Sequence, residues 1–156
     1  MIELWPASCD DLAALWEIRT RAVAHGCASH YTDAVLAAWL DAPAPDSLRE
    51  LVANGGGTVA EEAGRMLGYA VLDAAAGEVT AVFVEPAEQG RGIGLMLLDA
   101  LQEAARAAGI DRLFLSASLN AVPFYERAGF IALREELYPH RSGIGIPSVY
   151  MEKGLD

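Results

Sequence analysis

The chain has 156 residues, a length that suits one domain, and 53% of them are hydrophobic, enough to build a core. Its formal charge of −11, from 22 acidic and 11 basic residues, would repel nucleic acid, and no basic stripe offsets it. Early charges at Glu3, Asp10, Asp11, Glu17 and Arg19 exclude a secretory leader, and no apolar run reaches the roughly 18 residues that a membrane span needs, so a cytoplasmic protein is expected.

The first element is a short strand, Ile2 to Trp5. Ser8 is placed to cap a helix from Cys9 to about Val23, with Asp10 and Asp11 in its first turn and Leu12, Leu15, Trp16 and Arg19 at helical spacing. The loop G-C-A-S-H-Y follows. Thr32 then caps a second helix that ends in Asp41 to Pro45, and Ser47 to Asn54 reads as a short third one. After a turn at Gly55 to Gly57 come three strands, Thr58 to Glu61, Arg65 to Leu72 and Glu78 to Val84. The linking segments E-A-G and A-A-A-G are short, so these strands should pair antiparallel.

A central helix, Leu95 to Ala108, closes on Gly109 as a left-handed cap. The strand Arg112 to Ser116 returns after it, and a strand that returns across a helix needs a parallel neighbour. Asn120 is placed to cap a helix that holds Pro123 in its first turn and runs to Ala128, before Gly129. Phe130 to Tyr138 and Pro147 to Lys153 read as a closing hairpin around a glycine-rich loop. Cys9 and Cys27 are too few for a zinc site, no metal is expected, and neither is placed as a nucleophile.

The stretch V-F-V-E-P-A-E-Q-G-R-G-I-G, Val82 to Gly94, is the most informative in the chain. A strand ends, three alternating glycines follow, and a helix begins. The first amides of a helix lack internal partners, and the macrodipole adds partial positive charge there. Glycines at Gly90, Gly92 and Gly94 let an anion approach those amides, so the segment reads as a pyrophosphate cradle. The lysine of a P-loop is missing, and G-x-G-x-G differs in spacing and chain position from the dinucleotide fingerprint.

The remaining pattern, Q-x-x-G-x-G at Gln89, Gly92 and Gly94, resembles the acetyl-CoA loop of the GNAT acetyltransferase superfamily. Downstream, N-A-V-P-F-Y-E-R-A-G-F from Asn120 resembles that superfamily's second signature. The two matches stand in the right order, with a helix between them. The resemblance implies an α/β fold with a mixed, mostly antiparallel sheet of about 6–7 strands, a central strand–helix–strand unit and flanking helices. It implies one domain over residues 1–156 that moves an acetyl group from acetyl-CoA directly to a primary amine of a small molecule or peptide. The backbone of Val82, Phe83 and Val84 would bond the pantetheine as an added strand does, and Gln89, Gly90, Arg91, Gly92, Ile93, Gly94, Leu95 and Asn120 would complete the cofactor site.

Acetylating an amine raises three chemical problems. An amine with a pKa near 10.4 is neutral about once in ~2500 molecules at pH 7, a penalty of roughly 4.6 kcal/mol. A base must offset this, an oxyanion needs donors, and the departing thiolate benefits from a proton. By resemblance, Glu78, eleven positions before Gln89, is the base, and Tyr125 of F-Y-E-R-A-G-F is the acid. A backbone N–H around Val84 would serve the oxyanion. His140 is an alternative base. Asn120 and Tyr125 are five positions apart, where many family members have seven, so helix capping explains Asn120 as well as cofactor contact does. Thr80 and Val82 share the face of Glu78 if strand pairing is regular, whereas a bulge would change that phase. His30, Tyr31 and Trp39 lie around the second helix, which usually walls the acceptor site in this fold. The residues do not decide between an enzyme and a non-catalytic acyl-CoA sensor on every count, but a pure binder needs neither Tyr125 nor Glu78. Nor do they decide whether a closing strand pairs across a homodimer.

Overall fold

The computed structural model describes residues 1–155. Its elements in chain order are β1 (Glu3–Pro6), α1 (Leu12–Cys27), α2 (Asp33–Asp41), α3 (Asp46–Ala53), β2 (Gly57–Glu62), β3 (Arg65–Asp73), β4 (Glu78–Val84), α4 (Ile93–Ala107), β5 (Arg112–Ser118), α5 (Val122–Arg127), β6 (Ile131–Pro139) and β7 (Gly145–Gly154). The strands form one seven-stranded sheet in the order β1-β2-β3-β4-β5-β7-β6. Every neighbouring pair is antiparallel except β4 and β5, which α4 joins as a crossover. The fold class expected from the motifs is the one observed.

Local chemistry explains the early hairpin. Ala63 and Gly64 both have positive φ, 53° and 79°, between the paired ends Glu62 and Arg65. Two left-handed residues match the twist of the flanking strands, which is why a glycine stands there.

The sheet separates two apolar cores. On one face α4 buries Ile93, Leu97, Leu98, Leu101 and Ala105 against Leu67, Leu113, Leu115 and Met151. On the other, Leu15 and Ile18 of α1 and Leu48 and Val52 of α3 cover Val59, Tyr69 and Val71. Fully burying one such side chain contributes about 1.5–3 kcal/mol. These two layers hold β4 from both sides. No helix among the described residues is long and apolar enough to cross a membrane.

Three departures from the sequence reading matter for the site. First, α1 runs past Val23 to Cys27, taking in Gly26, because Val23 and Cys27 are buried against Tyr31 and Ile146. Second, Asn120 caps no helix. It lies in a 3-10 turn, Leu119–Ala121, and α5 begins at Val122. Its side-chain oxygen accepts from the Cys27 thiol at 3.1 Å instead, and a Cβ on Gly26 would sit 2.7 Å from its amide nitrogen. A long-range partner has won over the local cap. Third, β4 carries a bulge at Thr80, since Val71 faces Ala81 while Leu72 faces Val79. The Thr80 hydroxyl donates to the Val71 carbonyl at 3.3 Å. Val79, Val82 and Val84 pack with the α4 core, and Ala81 and Phe83 with the α1 core. The alternation thus skips Thr80, and Val82 does not share the face of Glu78.

Gly68 pairs with Val84 across β3 and β4, and a Cβ there would lie 2.7 Å from the Phe83 carbonyl oxygen and 3.2 Å from the Val84 Cα. Gly68→Ala is expected to lose about 1–3 kcal/mol in denaturant unfolding, because backbone has to move to admit the methyl. An unchanged midpoint would show that β4 yields freely at this point.

Candidate functional site

β4 and β5 are adjacent at only one register position, Glu78 opposite Phe114, with the Phe114 amide donating to the Gly77 carbonyl at 3.0 Å. Beyond it they diverge. β4 stays paired with β3 along Val82–Ala70, Phe83–Tyr69 and Val84–Gly68, so its other edge is left free along the gap. Free strand edges carry unmatched N–H and C=O groups, and a ligand with amides can pair with them. α4 starts at the mouth of this V. Gly92 precedes it with φ 76°, and Gly90 has φ 85°; a Cβ at either would meet nothing within 4 Å. The turn is therefore left-handed and open, and the first turn of α4 borders the mouth of the V with the positive end of its dipole there.

The V opens into a cavity of about 1240 Å³. Val82, Phe83, Val84, Gln89, Gly90, Gly92, Ile93, Gly94 and Leu95 all line it, as do Glu78, Asn120 and Tyr125. Arg91 does not. It is held between Glu88 at 2.7 Å and Glu62 at 2.9 Å, so the positive end of its side chain is already matched by protein carboxylates. Gly94 lets the first turn of α4 pass Phe124, whose ring would lie 3.2 Å from an added Cβ.

Tyr125 is 8% exposed and packs edge-on against Phe124 and Phe130. Its hydroxyl has no hydrogen-bond partner within the described residues, yet no fully buried side-chain polar atom is left unmatched among them, so that oxygen keeps access to the cavity. Burial pushes the phenol well above its ordinary range, which keeps it protonated as a donor. Glu78 sits at the closed end of the V. Burial and the neighbouring Asp73 raise its carboxyl above the ordinary value, the direction a general base at neutral pH needs. Burial raises the Cys27 thiol to about 11, so it stays neutral and serves as the hydrogen-bond donor to Asn120.

Of the three residues expected at an acceptor wall, Trp39 lines the cavity and His30 and Tyr31 do not, while His140, the alternative base, lines it too. His30 is exposed, with its ring beside the Ser29 hydroxyl at 3.1 Å. Tyr31 is structural: its hydroxyl donates to the Pro147 carbonyl at 2.6 Å and accepts from the Leu119 amide at 2.9 Å. This ties α1 and α2 to β7 and to the turn before α5. The His140 imidazole is lowered by burial and then by Arg19 and Arg141, so it is neutral at pH 7.

The structure also brings in Arg19, Asp73 and Tyr138, none of which sequence reasoning assigned to the site. Arg19 had a visible signal, a charge on the apolar stripe of Leu12, Leu15 and Trp16. Tyr138 had none, because only the folded chain brings the end of β6 close enough for Glu78 to raise its phenol, after burial has done so. No group of three or more His, Cys, Asp or Glu able to hold a metal occurs among the described residues.

A family model described as an acetyltransferase (GNAT) domain matches residues 27–155. The IAA acetyltransferase of Azospirillum brasilense is 35% identical over 116 residues, 71% of this chain and 70% of that protein. The mycothiol acetyltransferase of Beutenbergia cavernae is 41% identical over 63 residues, 38% of this chain, and the chain spans only 21% of that protein. Among solved structures, a GCN5-related N-acetyltransferase from Rhodopseudomonas palustris aligns with a TM-score of 0.88 at 26% identity, over 98% of this chain and 95% of that one. The structure of yncA from Salmonella typhimurium with its cofactor acetyl-CoA aligns with a TM-score of 0.65 at 28% identity, over 100% and 95%. A domain match across nearly the whole sheet, joined by a relative of that identity and reach, means that this chain belongs to the GNAT family of acetyltransferases.

Proposed function

We propose that the chain acts as a single N-acetyltransferase domain that uses acetyl-CoA as co-substrate and passes its acetyl group directly to a primary amine. The observation that carries this reading is the free edge of β4 running from Glu78 to an open, left-handed glycine turn at the start of α4. The residues fit the cofactor. An extended arm with two amides suits the free edge at Val82, Phe83 and Val84, and a diphosphate suits the amides after Gly90 and Gly92. Gln89, Gly94 and Leu95 would flank it. Arg91 would support the loop through its two ion pairs rather than touch phosphate.

Bound acetyl-CoA supplies an activated thioester, and the chain's own residues handle protons and position. Glu78 takes a proton from the acceptor amine, directly or through water. Tyr125 holds its hydroxyl proton at the cavity surface, where it can be donated to a departing thiolate. A backbone N–H near Val84 is available to a developing oxyanion. The neutral thiol of Cys27 supports transfer without an acyl-enzyme. Both cysteines are free, consistent with a reducing cytoplasm.

Calorimetric titration with acetyl-CoA, ATP and NADH tests the cofactor assignment. Acetyl-CoA alone should bind tightly. Gly92→Val should weaken it about tenfold or more, since the new side chain fills the open turn and strains a left-handed residue by roughly 1–2 kcal/mol. Tight binding of ATP alone would end this reading. Turnover of an amine panel separates an enzyme from a mere acyl-CoA sensor.

A further inference from the structure

The α1–α2 wall of the cavity holds a buried charge without a counter-charge. Arg19 is 3% exposed and lines the cavity. One guanidinium nitrogen donates to the Thr20 hydroxyl at 3.3 Å, another to the Trp39 carbonyl near the end of α2, and the group lies 4.2 Å from the Trp16 ring. All of these partners are neutral. Among the described residues no carboxylate stands within ion-pair distance, whereas Arg21, Arg65, Arg91, Arg106, Arg112 and Arg134 each have a glutamate. With 22 acidic residues against 11 basic ones, the chain does not lack carboxylates to place there. A buried guanidinium with no anion carries a desolvation cost that the helix terminus and the indole offset only in part.

A second cation lines the same cavity. Arg141, in the turn between β6 and β7, donates to the Pro43 carbonyl at 3.3 Å, which leaves most of its fork free. His140 beside it is influenced by both guanidiniums, which places the three groups together. Asp73 and Glu78 line the same cavity, close enough to each other for Asp73 to raise the Glu78 carboxyl, and Glu88 and Arg127 line it as well.

Building on the acetyltransferase reading, we propose that the acceptor is a zwitterion. It is a small primary amine that also bears an anionic oxyacid group, seated against Arg19 and Arg141 while the amine meets Glu78. With a carboxylate such a molecule is neutral overall, so the −11 field of the protein does not repel it, whereas a phosphate monoester leaves it with a small net negative charge that the two guanidiniums must offset. A planar guanidinium fork suits a carboxylate or a phosphate oxygen pair.

Turnover of 4-aminobutyrate, 3-aminopropyl phosphate and butylamine tests this, with the parent, Arg141→Gln and Arg19→Lys. The parent should prefer the better anionic amine over butylamine by about 100-fold in kcat/KM, and which of the two it is distinguishes carboxylate from phosphate. Arg141→Gln, a change on an exposed turn that leaves the core intact, should cut that preference about tenfold, mainly through KM. Arg19→Lys keeps the charge but loses the fork, and should act in the same direction. Equal turnover of butylamine, or an Arg141→Gln loss that is the same for all three amines, would overturn the proposal. If none of the amines is acetylated, the enzymatic reading fails for this class, and the anion seat is judged by thermal shift. N-acetyl-4-aminobutyrate should then raise Tm in the parent more than in Arg141→Gln, with N-butylacetamide inert. No shift with either compound would overturn the seat itself.

Discussion

Tyr125→Phe is expected to lower kcat about 100-fold or more while the protein folds as before and KM for acetyl-CoA changes little. The reasoning starts from the hydroxyl. It makes no hydrogen bond to the described residues and reaches the cavity surface, so removing it breaks nothing internal. The ring stays where it is, edge-on to Phe124 and Phe130, and the apolar core around α5 keeps its packing. Losing a hydroxyl that bonds no protein group and meets only the cavity costs the fold little. A phenol raised by burial is protonated throughout the working range and has a proton to give. Steady-state kinetics with a good acceptor, alongside a melting curve, checks both halves. A variant that turns over at the parent rate would remove Tyr125 from the chemistry, and one that melts early would make it a packing residue.

Glu78→Gln should lower kcat/KM at neutral pH by about 100-fold or more and flatten the acid limb of its pH profile. In the parent, activity should fall as the medium is acidified through the carboxyl's pKa, because a protonated carboxyl accepts nothing. That pKa lies above the ordinary 4.5, raised by burial and then by Asp73. Stability responds in the opposite sense. A carboxyl whose pKa is higher in the folded chain than in the unfolded one helps folding below about pH 4.5, and that help is lost as pH rises through the folded value. Near pH 7 the ionised group is a burden, so the glutamine variant should melt no lower than the parent and gain relative to it between pH 4 and 7. Calorimetric melts across that range, paired with kinetics, distinguish the outcomes. Retained activity with an unchanged acid limb would shift the base to His140, which is neutral at pH 7 and lines the same cavity.

Much of the site was readable along the chain because its signals are local. Gly90 and Gly92 adopt left-handed conformations that only glycine takes without strain, so the turn before α4 announces itself in the residues. Gly109 and Gly129, at φ 79° and 98°, end their helices for the same reason. Thr32 caps α2 through a bond to the Val35 amide at 3.3 Å, a partner three positions away.

The misplaced residues share a different property, which is that their partners are distant in sequence. Asn120 looked like a cap but bonds Cys27, 93 positions away. Tyr31 looked like part of an acceptor wall but spans to Pro147 and Leu119. Arg91 looked free to meet a phosphate, yet Glu62, 29 positions earlier, holds it.

Order along the chain, backbone handedness and hydrophobic period are properties of short segments, so the sequence by itself determined the strand–turn–helix cradle, the antiparallel run before it and the family they indicate. Tertiary structure alone decided that β4 and β5 would touch only at Glu78 and then part, and that β7 would insert between β5 and β6. It also decided that Arg19 would be buried facing the resulting cavity without a carboxylate. Those outcomes depend on sheet twist, a one-residue bulge at Thr80 and packing between segments far apart in the chain, where competing long-range contacts rather than local preference set the energy minimum.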